Sequence, residues 1–170
     1  MQLTHRHSQA VSAILIGALA VLAAAIFALH PPATHAAQAK GAVVSSAKTK
    51  LGRILVDSNG RTLYLFGKDR SGKSSCSGQC AAFWPPLITS GKPRVSRAAR
   101  ASLIGMTKRA DGRMQVTYNH HPLYTFAKDK KAGQMNGEGV NAFGGEWDVV
   151  SPAGSKIDKP SSSGGNGYGP

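Results

Sequence analysis

Cys76 and Cys80 are the only cysteines of the chain, spaced Cys-x-x-x-Cys. Two chemistries suit that spacing. As thiolates, with the imidazoles of His120 and His121 and the thioethers of Met106, Met114 and Met135, they form a soft donor set of the kind that holds copper(I). As an adjacent even pair in an exported protein they form a disulfide. Residues four apart on a regular helix hold their Cβ atoms about 5–6 Å apart, whereas a disulfide wants about 3.8 Å. The bond therefore requires Ser77-Gly78-Gln79 to be a turn, which Gly78 permits. A second possible chemistry lies in two carboxylates, Asp69 and Asp129, that recur in matching contexts. No nucleophile or third group stands near either in sequence, so general acid–base work has no support. The chain holds no Gly-x-Ser-x-Gly elbow, phosphate-binding Gly-rich loop, or His-Glu-x-x-His pair. It reads as a non-enzyme without a cofactor, with copper or redox handling as the alternative.

The elements that must position these residues come in two copies. Thr62-Leu63-Tyr64-Leu65-Phe66-Gly67-Lys68-Asp69 returns sixty positions later as Pro122-Leu123-Tyr124-Thr125-Phe126-Ala127-Lys128-Asp129. At the same offset Ala82-Phe83 matches Ala142-Phe143, Asn136 and Val140 stand at the places of the two cysteines, and a three-residue slip aligns Trp84 with Trp147. A fixed-period repeat means one structural unit used twice, and two copies predict a pseudo-symmetric domain rather than a solenoid. Tyr and Phe two apart put Tyr64 and Phe66, and Tyr124 and Phe126, on one face of a strand, where they serve a scaffold. Asp69 and Asp129 follow where the strand ends, placed to accept turn amides. Leu63 and Leu65 alternate with the aromatics, so both faces of that strand are covered. Asn59-Gly60 between apolar runs predicts a tight hairpin with left-handed turn residues, and Leu103–Thr107 with Met114–Tyr118 predicts another. Ser77–Phe83 and Ser96–Ser102 read as short helical turns, Lys128–Gly145 as a long loop, and Trp147–Ser151 as a closing strand. The fold class is mainly β with minor short helix. It is one pseudo-two-fold domain at 51–155, with Tyr64, Phe66, Phe83, Trp84, Tyr124, Phe126, Phe143 and Trp147 in or near a shared core.

The flanks carry an address. Val11 to Leu29 is an uncharged apolar run of 19 residues, followed by Pro31 and Pro32. Ala37-Gln38-Ala39 or Thr34-His35-Ala36 offers a cleavage site, so residues 1–39 read as a secretory signal, or as an uncleaved anchor facing outside the cytoplasm. Residues 40–50 read as a linker and 156–170, Gly- and Ser-rich, as a flexible tail. The whole chain carries +13, and losing the leader removes only Arg6 from that count. Lys92, Arg94, Arg97, Arg100, Lys108, Arg109 and Arg113 form its densest basic stretch, against Asp111 alone. Such a surface attracts polyanions. In an exported protein these are anionic envelope components rather than nucleic acid.

Both Tyr-x-aromatic-x-x-Asp copies, with Gly60-Arg61-Thr62-Leu63, Gly78-Gln79-Cys80-Ala81-Ala82, Trp84-Pro85-Pro86, Arg109-Ala110-Asp111-Gly112, Gln115-Val116-Thr117-Tyr118-Asn119 and Phe143-Gly144-Gly145, carry a resemblance. From about Leu51 to Gly154 the chain resembles the secreted-repeat lipoprotein family, bacterial envelope proteins without an established activity. The resemblance implies a secreted or envelope address and this duplicated fold, and it implies no substrate. The chain departs from the family in having no lipobox cysteine. It also has His120 where the pattern has Gly, which argues against a tight turn at Asn119-His120.

Overall fold

A computed structural model describes residues 40–157. The domain is mainly β. Its strands are β1 (Val43–Thr49), β2 (Gly52–Val56), β3 (Tyr64–Phe66), β4 (Arg94–Val95), β5 (Ile104–Lys108), β6 (Met114–Tyr118), β7 (His121–Pro122), β8 (Val140–Ala142) and β9 (Gly145–Val149), with one short helix, α1 (Gln79–Phe83). They form three small sheets in the orders β2-β1-β4, β3-β9-β8 and β5-β6-β7.

The duplication is visible in the hydrogen bonds. Beside the first motif Val150 N donates to Leu63 O and Gly67 N to Glu146 O; beside the second Leu87 N donates to Leu123 O and Ala127 N to Phe83 O. The segment after Trp84 thus lies along the second motif as β9 lies along the first. The two motifs meet at their tyrosines: Tyr64 N donates to Tyr124 O at 2.9 Å and Tyr124 N to Tyr64 O at 3.0 Å. That reciprocal pair marks the pseudo-two-fold axis.

Alternation along the motif strands sorts the core into two layers. Tyr64, Phe66, Trp84, Tyr124, Phe126 and Trp147 pack with the cysteines, Ile54, Val56 and Val149. Leu63, Leu65 and Leu123 pack with Val44, Leu55, Val116, Tyr118 and Val150. Every residue from Thr62 to Phe66 is buried, so the strand is covered on both faces as its apolar run predicts. Within the aromatic layer four rings form a column. Phe66 stacks on Trp147 at 4.0 Å, Trp147 on Trp84 at 4.0 Å and Trp84 on Phe126 at 4.1 Å, while Tyr64 and Tyr124 meet Trp84 and Trp147 edge-on. Ring pairs of these geometries contribute about 0.5–1.5 kcal/mol each beyond burial.

Several expectations are corrected. Residues 40–50 are not a linker: Val43–Thr49 is a strand, paired from Ser45 to Thr49 with β2 and at Val43 and Val44 with β4. Its Val44 is fully buried, and a strand of such small residues has little apolar alternation to betray it. The domain runs past 155, since Ile157 N donates to Val149 O and Ile157 packs on the aromatic layer. The remaining tail and the leader lie outside the described residues. Ser96–Ser102 is not helical but for a 3-10 turn at Ala101–Leu103. The loop expected over Lys128–Gly145 contains β8. Phe83 and Phe143 leave the core, at 41% and 39% exposed.

The two hairpin turns exchange roles. At Asn59-Gly60 only Gly60 has a positive φ, and Asp57 N donates to Arg61 O across a three-residue loop. The tight two-residue turn is Asn119-His120, with φ of 46° and 64°, between the cross-strand partners Tyr118 and His121. Asn and His are among the side chains that tolerate this left-handed region best, so the turn forms without Gly.

Candidate functional site

The motif residues converge on the pseudo-axis in crossed pairs. Tyr64 Oη of the first copy donates to Asp129 Oδ2 of the second at 2.6 Å, and Tyr124 Oη donates to Asp69 Oδ2 at 2.7 Å. The other oxygen of each carboxylate closes its own loop. Asp69 Oδ1 accepts from the amide and hydroxyl of Ser75, and Asp129 Oδ1 from the amide and side chain of Asn136. Ser75 is thus the counterpart of Asn136, one residue off the fixed sixty-residue offset, and Cys76 stands where the second copy has Gly137. Gly137 is required there, because a Cβ would lie 2.7 Å from the Trp84 ring. Burial and the neighbouring carboxylates, Asp129 for Tyr64 and Asp69 for Tyr124, push both phenols far above the ordinary tyrosine range. The tyrosines are held as neutral donors and the carboxylates as acceptors. This arrangement braces the two units together.

Cys76 and Cys80 are joined in a disulfide, with Cα atoms 5.3 Å apart. The turn it requires is made at Gly78, φ 53°, so Cys76 precedes α1 and only Cys80 lies within it. Trp84 N then donates to Cys80 O, which leads directly into the ring column. The copper set is not assembled: the sulfurs are bonded to each other. His120 and His121 line, with Asp69, Ser71 and Gly72, a cleft of about 380 Å³ whose lining contains neither cysteine. Burial pulls the His121 imidazole below its ordinary range; Asp69 opposes this less strongly, and His120 adds slightly to it. Met106 is exposed. Among the described residues no three His, Cys, Asp or Glu side chains gather into a metal-holding group.

The basic stretch divides. Arg109 is buried, and its guanidinium donates to Ser74 Oγ (2.8 Å), Gln115 Oε1 (2.6 Å) and Cys76 O (2.7 Å). It is a core tie between the second hairpin and the cysteine loop, not part of an anion-binding surface. Arg113 is exposed but engaged by Asp111 at 2.8 Å, and that guanidinium holds the Asp111 carboxyl down at about 2. Lys92, Arg94, Arg97, Arg100 and Lys108 are exposed.

Arg97 belongs to a groove of about 660 Å³ that also takes in Lys48 and Arg53, with Ser45, Ser46, Ser58 and Ser96. Lys48 and Arg53 are direct cross-strand partners in the β1–β2 register. Like charges in that relation oppose the pairing of the strands. The one acid of the groove, Asp57, is taken up by Arg61 Nε at 2.9 Å and by the amides of Asn59 and Arg61. Reading the basic charge along the chain missed Lys48 and Arg53, because only the hairpin brings them together and next to Arg97. The signal lay in the hairpin: two cations flanking the turn at Lys50–Leu51.

Comparison with curated proteins and with solved structures yields no match. The family described as a secreted repeat of unknown function matches twice, at residues 45–88 and 105–151, one match for each unit. The family's secreted character gives an extracellular or envelope setting. The chain belongs to this family of secreted repeats.

Proposed function

We propose that this secreted repeat protein is a non-enzymatic binding module that holds an anionic component of the cell envelope in the groove of Lys48, Arg53 and Arg97. The observation that carries the reading is the Lys48–Arg53 pair. Two cations facing each other across a strand pair, with Arg97 beside them and the local acid already engaged, form a site that an anion completes. Arg97 also adopts a φ of 56°, a conformation unfavourable for a long side chain. Arginine supplies the fork that matches phosphate and carboxylate oxygens. Lys92, Arg94, Arg100, Lys108 and Arg113 add to the field that draws a polyanion in. The crossed Tyr–Asp pairs support the non-enzymatic half of the reading, since the motif's polar atoms are spent on one another.

Titration calorimetry with polyphosphate and with polyglutamate tests this. Binding weakens as salt rises, because exposed charges are screened within about 10 Å at 0.1 M. The triple variant K48Q/R53Q/R97Q loses roughly tenfold or more in affinity, an interaction loss of about 1.4 kcal/mol. Binding of both polymers that is insensitive to salt and to the triple variant overturns the reading.

A further inference from the structure

Phe83 and Phe143 occupy matching places in the two copies, and they meet at the surface with ring centroids 6.1 Å apart. They are two of the three large hydrophobic side chains exposed among the described residues. Phe143 stands at φ 57°, a left-handed conformation that is an outlier for a bulky side chain. A glycine would adopt it freely, and the next residue is Gly144. An aromatic is therefore held outward where backbone conformation favours its absence.

Cations flank the pair. Lys68 Nζ donates to Phe143 O at 3.4 Å, and Lys128 follows the Ala127 whose amide binds Phe83 O. Both lysines are exposed. The motif acids beside them, Asp69 and Asp129, turn their carboxylates to the opposite copy's tyrosines, and Glu146 reaches Lys156 at 3.5 Å. The tip is thus apolar at its centre and positive at its edge.

We infer that this tip is a docking site for an anionic lipid bilayer, with Phe83 and Phe143 entering the acyl boundary and Lys68 and Lys128 meeting the headgroups. A soluble polyanion satisfies the lysines but offers no apolar phase to two phenyl rings that carry no polar handle. A bilayer offers both. The inference deepens the binding-module reading and rests on it for the anionic envelope setting, but it uses different residues, so the two fail separately.

The test is quenching of a reporter at the tip. Full-length Phe143→Trp is mixed with phosphatidylglycerol-containing vesicles whose acyl chains carry bromine, and compared with wild type, whose two tryptophans are buried. The expected result is quenching beyond the wild-type background, reduced in pure phosphatidylcholine and reduced by K68Q/K128Q. Because the reporter sits at the tip, attachment through the N-terminal apolar run does not mimic this signal. Phe83→Ala with Phe143→Gly melts no lower than Phe83→Ala alone, keeps wild-type polyphosphate binding, and loses roughly tenfold in vesicle partitioning relative to K48Q/R53Q/R97Q. No added quenching in the anionic vesicles overturns the inference. So does a vesicle-free dimer of wild type that the two Phe substitutions dissolve, which makes a second copy the occupant. Loss of polyphosphate binding in K48Q/R53Q/R97Q with no quenching at position 143 leaves the groove reading standing and removes this one. The reverse pattern removes only the groove.

Discussion

Tyr64 and Tyr124 tie the two copies to each other through backbone and side chain alike. Each phenol is fully buried and each donates to a carboxylate of the other copy. Hydrogen bonds to charged groups contribute about 1.5–3 kcal/mol, so Tyr64→Phe lowers unfolding free energy by roughly that amount in urea titration. The pH dependence has a definite sign. Both phenols are raised above the unfolded value by burial and then by the facing carboxylates. Their contribution is complete below about pH 10, where the unfolded phenol is still protonated. It is lost progressively as pH rises above that toward the folded values. Melting temperature of wild type therefore falls through the alkaline range, and Tyr64→Phe with Tyr124→Phe starts lower at neutral pH but shows a flatter alkaline limb. The Tyr-x-aromatic-x-x-Asp spacing is legible as a strand ending in a turn. That each Tyr bonds the distant Asp is not, because spacing within one copy carries no information about which copy's carboxylate comes within reach.

At the scale of elements, the cysteine loop and the first hairpin each make a prediction. The disulfide fastens a turn that the second copy builds with Asn136 and Gly137 and no covalent bond. Cys76→Ser with Cys80→Ser therefore stays folded and loses about 1–3 kcal/mol, the scale of a short-loop crosslink, as read by urea unfolding. Global loss of structure by circular dichroism is the contrary result. In the β1–β2 hairpin, Lys48→Glu replaces a like-charged pair by an opposite-charged one. It stabilises the domain by about 0.2–1 kcal/mol while weakening polyanion binding; a variant that binds better contradicts the groove. The turns at Asn59-Gly60 and Ala110-Asp111-Gly112 are legible from the apolar runs around them, the first as a reversal of the chain but not as the three-residue loop it is. β1 is not, because Val43–Thr49 reads Val-Val-Ser-Ser-Ala-Lys-Thr, with no apolar alternation, and becomes a strand by pairing with β2 and β4 rather than by its own pattern. Arg109 shows the same limit: a cation among surface cations in sequence, it is buried by ties to Ser74, Gln115 and Cys76 from two other segments.

For the molecule as a whole, the two repeats are interlocked rather than merely adjacent. Backbone bonds between Tyr64 and Tyr124, the Phe66–Trp147–Trp84–Phe126 column and the crossed Tyr–Asp pairs all span the pseudo-axis. In the column each motif Phe stacks on the other copy's Trp. One repeat alone keeps half of every such contact, so the pair forms a single cooperative unit. The period of sixty made the duplication legible, while exposed Phe83 and Phe143 were not separable from the buried aromatics, since matching positions in a repeat look alike whether they meet inside or at the surface. The most direct test of the interlock is a double-mutant cycle on unfolding free energy. Tyr64→Phe combined with Asp129→Asn, across the copies, is compared with Tyr64→Phe combined with Asp69→Asn, within one copy. The crossed pair should show a coupling of about 0.5–3 kcal/mol, as contacting partners do, and the same-copy pair a distinctly smaller one. Coupling concentrated within a copy, with Tyr64 and Asp129 additive, would contradict the interlocked arrangement.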